Sequence, residues 1–165
     1  MGFKLDIVAY KKLFGLRFKE MVDELAPQAD EQTRKKIKNQ KAIYYKQNLD
    51  KVQPNHGLLA LLKSSRGKYK TALVTTASRD NVDNLLDYYK IDEQLFDCIV
   101  TAEGVSKSKP DPEAYKLAIK TLGAKASECC VFEDTDMGIQ AAEAAGAKFV
   151  RVRLWNWDYF LFYYL

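Results

Sequence analysis

The sequence predicts an α/β fold in which helices cover both faces of a parallel sheet, and two observations carry this prediction. Short apolar runs of strand length recur at 70–75, 97–101, 129–133 and 148–152. Segments with apolar residues at helical spacing separate or precede them at 57–66, 79–89, 112–123 and 136–146. Strands that alternate with helices in this way pair in parallel and are buried on both faces, which is a Rossmann-like arrangement.

The chain before this alternation is helical. Apolar residues recur among charges as far as Leu25, Ala26-Pro27 ends that segment, and a second helix is expected over 30–48. The stretch 52–57 contains Pro54 and Gly57 and predicts a hinge. We therefore divide the chain into a small helical module at 1–52, an α/β core at 53–152 and a tail at 153–165 that is dense in aromatic residues.

The composition excludes several classes of protein. A chain of 165 residues, 47% of them hydrophobic, suits one compact core with a small appended module. Charged residues make up 29% and are mixed in sign, so the net charge of +4 does not indicate a nucleic-acid partner. Three cysteines form no disulfide pattern, and no stretch resembles a signal peptide or a membrane span. We expect a cytoplasmic protein without a membrane or nucleic-acid partner.

Hydroxyl side chains follow the first predicted strand, where Val74 leads into Thr75 and Thr76. A hydroxyl beside free backbone N–H groups, at the mouth of a parallel sheet, can hold a phosphoryl oxygen. A structural interpretation stands beside this one, because Thr is common in strands and Ser78 can cap the next helix.

A lysine follows the second predicted strand, in the string Ser-Lys-Pro-Asp-Pro at 108–112. Pro110 keeps Lys109 out of helical geometry, and Pro112 can occupy the first turn of a helix that Asp111 caps. An ammonium group on so rigid a base would neutralise charge at a fixed place, which suits phosphoryl transfer. The alternative is a solvated lysine at an ordinary helix start.

Two adjacent carboxylates, Glu133 and Asp134, follow the third predicted strand. Neighbouring carboxylates repel each other unless a cation or a proton is shared, and hard oxygen ligands suit Mg²⁺ held together with substrate phosphate. The pair therefore predicts half of a magnesium site. The alternative is an acidic first turn that favours the positive end of a helix dipole.

Taken in this order, the three strand ends resemble the haloacid dehalogenase superfamily, in its branch of phosphatases and β-phosphoglucomutase-like enzymes with a helical cap. The strings Leu-Val-Thr-Thr, Ser-Lys-Pro-Asp-Pro and Val-Phe-Glu-Asp-Thr-Asp-Met-Gly look like that family's second, third and fourth motifs. The resemblance implies a Mg²⁺-dependent phosphatase that acts on a small phosphorylated metabolite, or a related phosphomutase.

The resemblance also implies roles for individual residues. Thr75, with Thr76 beside it, would bind the phosphoryl group, and Lys109 would neutralise nucleophile and phosphate. Glu133 and Asp134 would hold Mg²⁺. The string Leu-Phe-Gly-Leu at 13–16 is similar to the start of the substrate-facing loop of the cap, so Arg17 and Lys19 become candidates for contacting the leaving group; a solvated helix face is the alternative.

The first motif of the superfamily has no match. There, Asp-x-Asp-Gly-Thr on the first strand supplies the nucleophilic aspartate. Here 3–6 read Phe-Lys-Leu-Asp, and we interpret Asp6 as a coincidence. Because the first strand of such a sheet lies in its middle, a core without it would have two interior edges with unpaired backbone groups. A second hypothesis follows, a catalytically inactive module that binds phosphate and Mg²⁺ or a partner protein.

Overall fold

A computed structural model describes residues 12–152. They form six α-helices and four strands: α1 Phe18–Leu25, α2 Glu31–Gln47, α3 His56–Ser65, β1 Ala72–Val74, α4 Arg79–Tyr88, β2 Cys98–Val100, α5 Glu113–Leu122, β3 Cys130–Glu133, α6 Asp136–Ala144 and β4 Lys148–Arg151. The predicted order of helices and strands is confirmed, and from α2 onward the ends differ from the prediction by at most two residues. The helical pattern predicted ahead of Leu25 corresponds to a helix that begins only at Phe18. Across these residues no helix has both the length and the apolar character that a bilayer crossing requires. Asp6 and the aromatic tail lie outside the described residues.

Side-chain caps explain where several helices begin. Asp30 accepts a hydrogen bond of 2.7 Å from the backbone N–H of Thr33 at the start of α2. Thr135 accepts one of 3.0 Å from the N–H of Gly138 at the start of α6. Each bond satisfies one of the N–H groups that a helix leaves without a partner in its first turn.

The strands form two separate parallel ladders. β1 pairs with β2 from Ala72 opposite Cys98 to Val74 opposite Val100. β3 pairs with β4, and Phe132 lies opposite Val150 in that ladder. Within residues 12–152 no ladder joins one pair to the other. Among these residues the expected single sheet is therefore present as two parallel ladders.

A small apolar cluster holds the two ladders together. Tyr115 from α5 packs with Ala141 and Ala142 of α6 and with Ala145, which follows that helix. Val74 of β1 and Val131 of β3 pack against the same cluster. Ala141 and Ala142 have no exposed surface, so α6 approaches the strands closely. Since Val74 and Val131 share this support, it connects β1 of one ladder with β3 of the other.

The helical module packs on the core through α2 and α4. The Tyr89 hydroxyl, just after α4, donates a hydrogen bond of 3.2 Å to the carbonyl oxygen of Leu49, which is buried. No residue of α2 is fully buried, so most of this helix is accessible to solvent. The division of the chain at residue 52 remains a prediction.

Candidate functional site

Glu133, the last residue of β3, is the centre of the candidate site. Its Oε2 atom accepts hydrogen bonds from Lys109 Nζ at 2.7 Å and from the Tyr115 hydroxyl at 2.6 Å. Its Oε1 atom accepts from the Thr135 hydroxyl at 2.7 Å, the Thr135 N–H at 3.0 Å and the Asp134 N–H at 3.2 Å. A carboxylate has about four lone-pair positions. The protein therefore occupies the accepting capacity of Glu133 completely.

Gly138, in the first turn of α6, makes room for this carboxylate. A Cβ atom at position 138 would lie 2.1 Å from Glu133 Cδ and 2.3 Å from Oε2, well inside van der Waals contact. The N–H of Gly138 also donates the capping hydrogen bond to the Thr135 hydroxyl. The glycine is thus required by close approach, and its spacing of five residues from Glu133 places it there.

Lys109 and Glu133 form a buried ion pair, with 6% of each residue exposed. Burial by itself would raise the pKa of Glu133, but the Lys109 ammonium and the surrounding hydrogen bonds outweigh it and lower that pKa to about 2. Burial and the Glu133 carboxylate raise the pKa of Tyr115 far above its usual range. Glu133 is therefore ionised and Tyr115 is a neutral donor at ordinary pH.

The pKa of Asp134 is shifted in the direction opposite to that of Glu133. Burial, followed by the adjacent Glu133 carboxylate, raises the pKa of Asp134 to about 6. The described residues offer its side chain no ion pair, because the Lys109 ammonium is bound to Glu133. Within 12–152, Asp134 is thus a half-buried acidic group without a paired cation.

The fixed position of Lys109 follows from the chain on both sides of it. The Lys109–Pro110 peptide bond is cis. Asp111 then accepts a hydrogen bond of 3.0 Å from the N–H of Glu113, where α5 begins. The ammonium of Lys109 lies 5.0 Å from the centroid of the Tyr115 ring, a residue of that same helix. These contacts are compatible with the rigid base expected from the two prolines, which remains a prediction.

Two residues hold the loop that precedes Lys109. Arg17 donates from Nη1 to the Val105 carbonyl at 2.9 Å and from Nη2 to the Ser106 carbonyl at 2.7 Å. From the other side, Glu113 accepts from the N–H groups of Ser106 at 2.9 Å and Lys107 at 2.8 Å. We call these contacts the loop clamp; they tie the segment before α1 to the loop at 105–108.

The loop clamp bears on the expectation that Arg17 contacts a leaving group. Besides the two carbonyls, its guanidinium donates to Glu20 Oε1 at 2.7 Å, and its backbone N–H donates to the Ser108 hydroxyl at 3.1 Å. With these donors engaged inside the protein, the geometry favours a role in positioning the loop. The substrate-binding role of Arg17 remains a prediction.

Thr75 and Thr76 lie where β1 ends, as expected. The Thr75 N–H donates to the Val100 carbonyl at 2.9 Å, and its hydroxyl accepts from the Ala77 N–H at 3.1 Å. This local turn leaves the hydroxyl proton of Thr75 available as a donor. Among the described residues no hydrogen bond joins either threonine to Lys109 or Glu133, so the structure brings together only the lysine and the carboxylates in direct contact.

The described residues do not form a cage of protein ligands around a metal ion, but they fit Mg²⁺ that is held by one or two carboxylates. The described part of the chain contains no cluster of three or more His, Cys, Asp or Glu residues that could enclose a metal ion. Mg²⁺ is, however, commonly held by one or two carboxylates together with phosphate oxygens and water. Asp134, short of a cation, fits this mode as the direct ligand, while Glu133 is committed to Lys109, Tyr115 and Thr135.

Four residues that the sequence analysis did not assign to the site contact its side chains or its loop. Tyr115, Thr135 and Gly138 all contact the Glu133 side chain, and Glu113 contacts the loop. A Ser/Thr residue and a glycine at the start of a helix that follows a carboxylate were visible signals for Thr135 and Gly138. Tyr115 gave no such signal, because its contact depends on how α5 docks.

Comparison with known proteins gives a consistent result. A model of the family "haloacid dehalogenase-like hydrolase" matches residues 2–152. Fructose-1-phosphate phosphatase YqaB from Escherichia coli (strain K12) is 38% identical over 106 residues, which cover 64% of this chain and 55% of that protein. Validoxylamine A 7'-phosphate phosphatase from Streptomyces hygroscopicus subsp. limoneus is 42% identical over 74 residues, covering 45% of this chain and 34% of that protein.

Among solved structures, β-phosphoglucomutase from Clostridium difficile superposes with a TM-score of 0.77 at 25% identity, covering 93% of this chain and 72% of that one. The chain spans 55% or less of the length of the two curated relatives. The family match includes the two parallel ladders, the Lys109–Glu133 pair and Asp134. The chain belongs to the haloacid dehalogenase-like hydrolase family.

Proposed function

We propose that this chain carries the phosphate- and metal-binding part of a Mg²⁺-dependent phosphatase that acts on a small phosphorylated metabolite. One observation carries the proposal: a buried lysine–carboxylate pair lies directly beside a carboxyl group for which the described residues provide no ion pair. The relatives named after phosphatases of small phosphate esters support the reaction class.

Each residue has a defined task in this proposal. Thr75 would donate its hydroxyl proton to a phosphoryl oxygen at the end of β1. Lys109 would place one positive charge beside the phosphate, and Glu133, held by Tyr115, would keep the ammonium from moving away. Asp134 would bind the metal, with Glu133 as its orienting neighbour. Mg²⁺, when bound, would supply positive charge to the phosphate oxygens.

The nucleophile is the remaining requirement. A phosphatase of this type needs a carboxylate that attacks phosphorus. Within 12–152, the carboxylates on which the Lys109 charge acts are Glu133, which is fully hydrogen-bonded, and Asp134, which we assign to the metal. We therefore propose that the nucleophilic aspartate comes from polypeptide other than these residues.

The binding part of the proposal is tested by thermal unfolding with Mg²⁺ and inorganic phosphate. A ligand that binds only the native state raises the melting temperature, so we expect a rise when both are present. Asp134→Asn should abolish the rise. Asp136→Asn is the matched control, because Asp136 also lies at the start of α6 but is exposed and paired with Arg151. An equal rise in Asp134→Asn would contradict the metal assignment.

The alternative function is a catalytically inactive module that binds phosphate and Mg²⁺. It is favoured by the full occupation of Glu133 and by the lack of an assigned nucleophile within the described residues. Hydrolysis of a generic aryl phosphate separates the two functions. Turnover by the chain that survives in Lys109→Met or Asp134→Asn would exclude this site as its source. Turnover lost in Asp6→Asn would show that Asp6 takes part in catalysis and that its likeness to the first motif is not a coincidence.

A further inference from the structure

We propose that the aromatic tail at 153–165 folds back onto the β3–β4 ladder and covers the face that points away from α6. Its apolar side chains would bury Phe132 and Val150 there. The family match ends at residue 152, so this covering role belongs to the present chain and is not transferred from its family. Packing of the tail in this way is independent of catalysis.

The face that the tail would cover is apolar and open. Val131 packs on the cluster formed by α5 and α6, so Phe132, the next residue of β3, points to the opposite face. Phe132 lies opposite Val150 in the ladder, which places both side chains on that face. They are 43% and 45% exposed. Because parallel strands are ordinarily covered on both faces, we expect a covering segment here.

The tail has the chemistry of such a segment. Seven of its thirteen residues are aromatic, and three of the others are leucines. The run at 159–165, Tyr-Phe-Leu-Phe-Tyr-Tyr-Leu, contains no charged residue. Soluble proteins rarely leave contiguous apolar surface of this size in water, because its burial is favourable. An apolar segment and an open apolar face are thus present in the same chain.

The position of the tail makes this contact a local one. The N–H of Val152 donates a hydrogen bond of 2.9 Å to the Glu133 carbonyl, so the residue that precedes the tail lies beside the end of β3. Asn156 and Asp158, whose types favour turns, precede the apolar run. Extended, the seven residues of that run span about 23 Å, whereas the four residues of β3 span about 13 Å. The run can therefore turn back and extend along the whole face.

Attachment favours the chain's own tail over other occupants. A segment tethered beside its site has an effective concentration in the millimolar range, which a second copy of the chain reaches only in concentrated solution. Residues 1–11 offer less apolar surface, because Lys4, Asp6 and Lys11 interrupt them and leave an uncharged run of only four residues at 7–10.

Tryptophan fluorescence tests the proposal on the full chain, because Trp155 and Trp157 are its only tryptophans. Buried indole groups are shielded from acrylamide, so we expect quenching to be at least about twofold weaker in the folded chain than in urea. Phe132→Ser and Val150→Ser, made separately, should each raise the quenching constant toward the unfolded value. Tyr69→Ser is the matched control, since Tyr69 is 73% exposed at the start of the segment before β1, and it should leave quenching unchanged.

A photo-cross-linker identifies the segment that lies on the face. p-Benzoylphenylalanine in place of Phe132 keeps an aromatic ring at that position and, on irradiation, forms a bond to a C–H group within reach. Peptide mapping of the monomeric product should find the attachment within 153–165. The same photoreactive residue in place of Tyr69 should not attach to that segment.

Four outcomes would overturn the proposal. Equal quenching in the folded and unfolded chain, or quenching unchanged in both serine variants of the face, would show that the tail is not packed there. Attachment of residues 1–11 to the cross-linker would identify that segment as the occupant, and a cross-linked species of twice the mass would identify a second copy. Where circular dichroism shows that Phe132→Ser does not fold, Val150→Ser and the cross-link decide.

Discussion

The Nζ atom of Lys109 lies 2.7 Å from Glu133 Oε2, and the two side chains are each 7% exposed. The contact joins the loop after β2 to the end of β3, so it links the two ladders that no backbone hydrogen bond joins within residues 12–152. Removing one member of a buried ion pair leaves the other charge without compensation.

Lys109→Met is therefore expected to destabilise the fold by about 3–5 kcal/mol, because Glu133 would remain buried without its cation. Urea unfolding at neutral pH measures the loss. Lys107→Met is the matched control, since Lys107 is 70% exposed and its ion pair with Asp111 lies at the surface; its effect should stay within about 0.5 kcal/mol. Equal effects of the two substitutions would contradict a special role for the buried pair.

Gly138→Ala should be among the most destabilising single substitutions, at about 3 kcal/mol or more, because the new Cβ would overlap Glu133 Cδ. Gly57→Ala is the control, since its Cβ would meet only Asn55 Oδ1 at 3.4 Å near the start of α3. We expect that variant to be unchanged or more stable by up to about 1 kcal/mol. Thermal unfolding of both proteins makes the comparison, and a tolerated Gly138→Ala would mean that Glu133 has another position available.

Tyr115→Phe removes one donor from Glu133 and keeps the ring in the apolar cluster. Hydrogen bonds to charged groups contribute about 1.5–3 kcal/mol, and we expect a loss in that range. Tyr69→Phe, at a residue that is 73% exposed, should leave the unfolding free energy unchanged. If both variants unfold at the same urea concentration, the Tyr115 hydroxyl does not stabilise Glu133.

The raised pKa of Asp134 predicts an unusual dependence of stability on pH without metal. Its pKa is about 6 in the folded chain and 3.8 as an isolated group. The contribution of Asp134 to stability is thus complete below about pH 3.8 and is lost as the pH rises through about 6.

In EDTA at pH 8, Asp134→Asn should therefore be more stable than the original chain by about 1–2 kcal/mol, after allowance for solvent screening of a half-buried group. The gain should disappear below pH 4. A destabilised Asp134→Asn at pH 8 would show that the folded chain already neutralises Asp134. Urea titrations at both pH values decide the matter.

The loop clamp predicts a local effect. Arg17→Met should speed amide hydrogen exchange at 105–108 by about tenfold or more, because two charge-assisted bonds to Val105 and Ser106 are lost. Glu113→Gln should act on the same amides from the other side. Arg66→Met serves as the control, since Arg66 pairs with Asp92 at the surface. Unchanged exchange in Arg17→Met would mean that Glu113 alone holds the loop.

Sequence patterns predicted the elements of this fold better than their assembly. Apolar periodicity depends on residues near in sequence, so it predicted α2 and the four strands. The string Ser-Lys-Pro-Asp-Pro likewise predicted the start of α5 close to Pro112. The Tyr115–Glu133 bond and the contact of Arg17 with the loop at 105–108 depend on the docking of distant segments, and no local pattern encodes them.

The shared apolar cluster under β1 and β3 has a mechanical consequence. Among the described residues, the spacing between Thr75 and Asp134 is set by the packing of Val74 and Val131 on small alanine side chains and by the Lys109–Glu133 pair. Dispersion contacts of this kind resist lateral displacement less steeply than a ladder of backbone hydrogen bonds does. We therefore expect the distance between Thr75 and Asp134 to vary more than the spacing of the strands within either ladder.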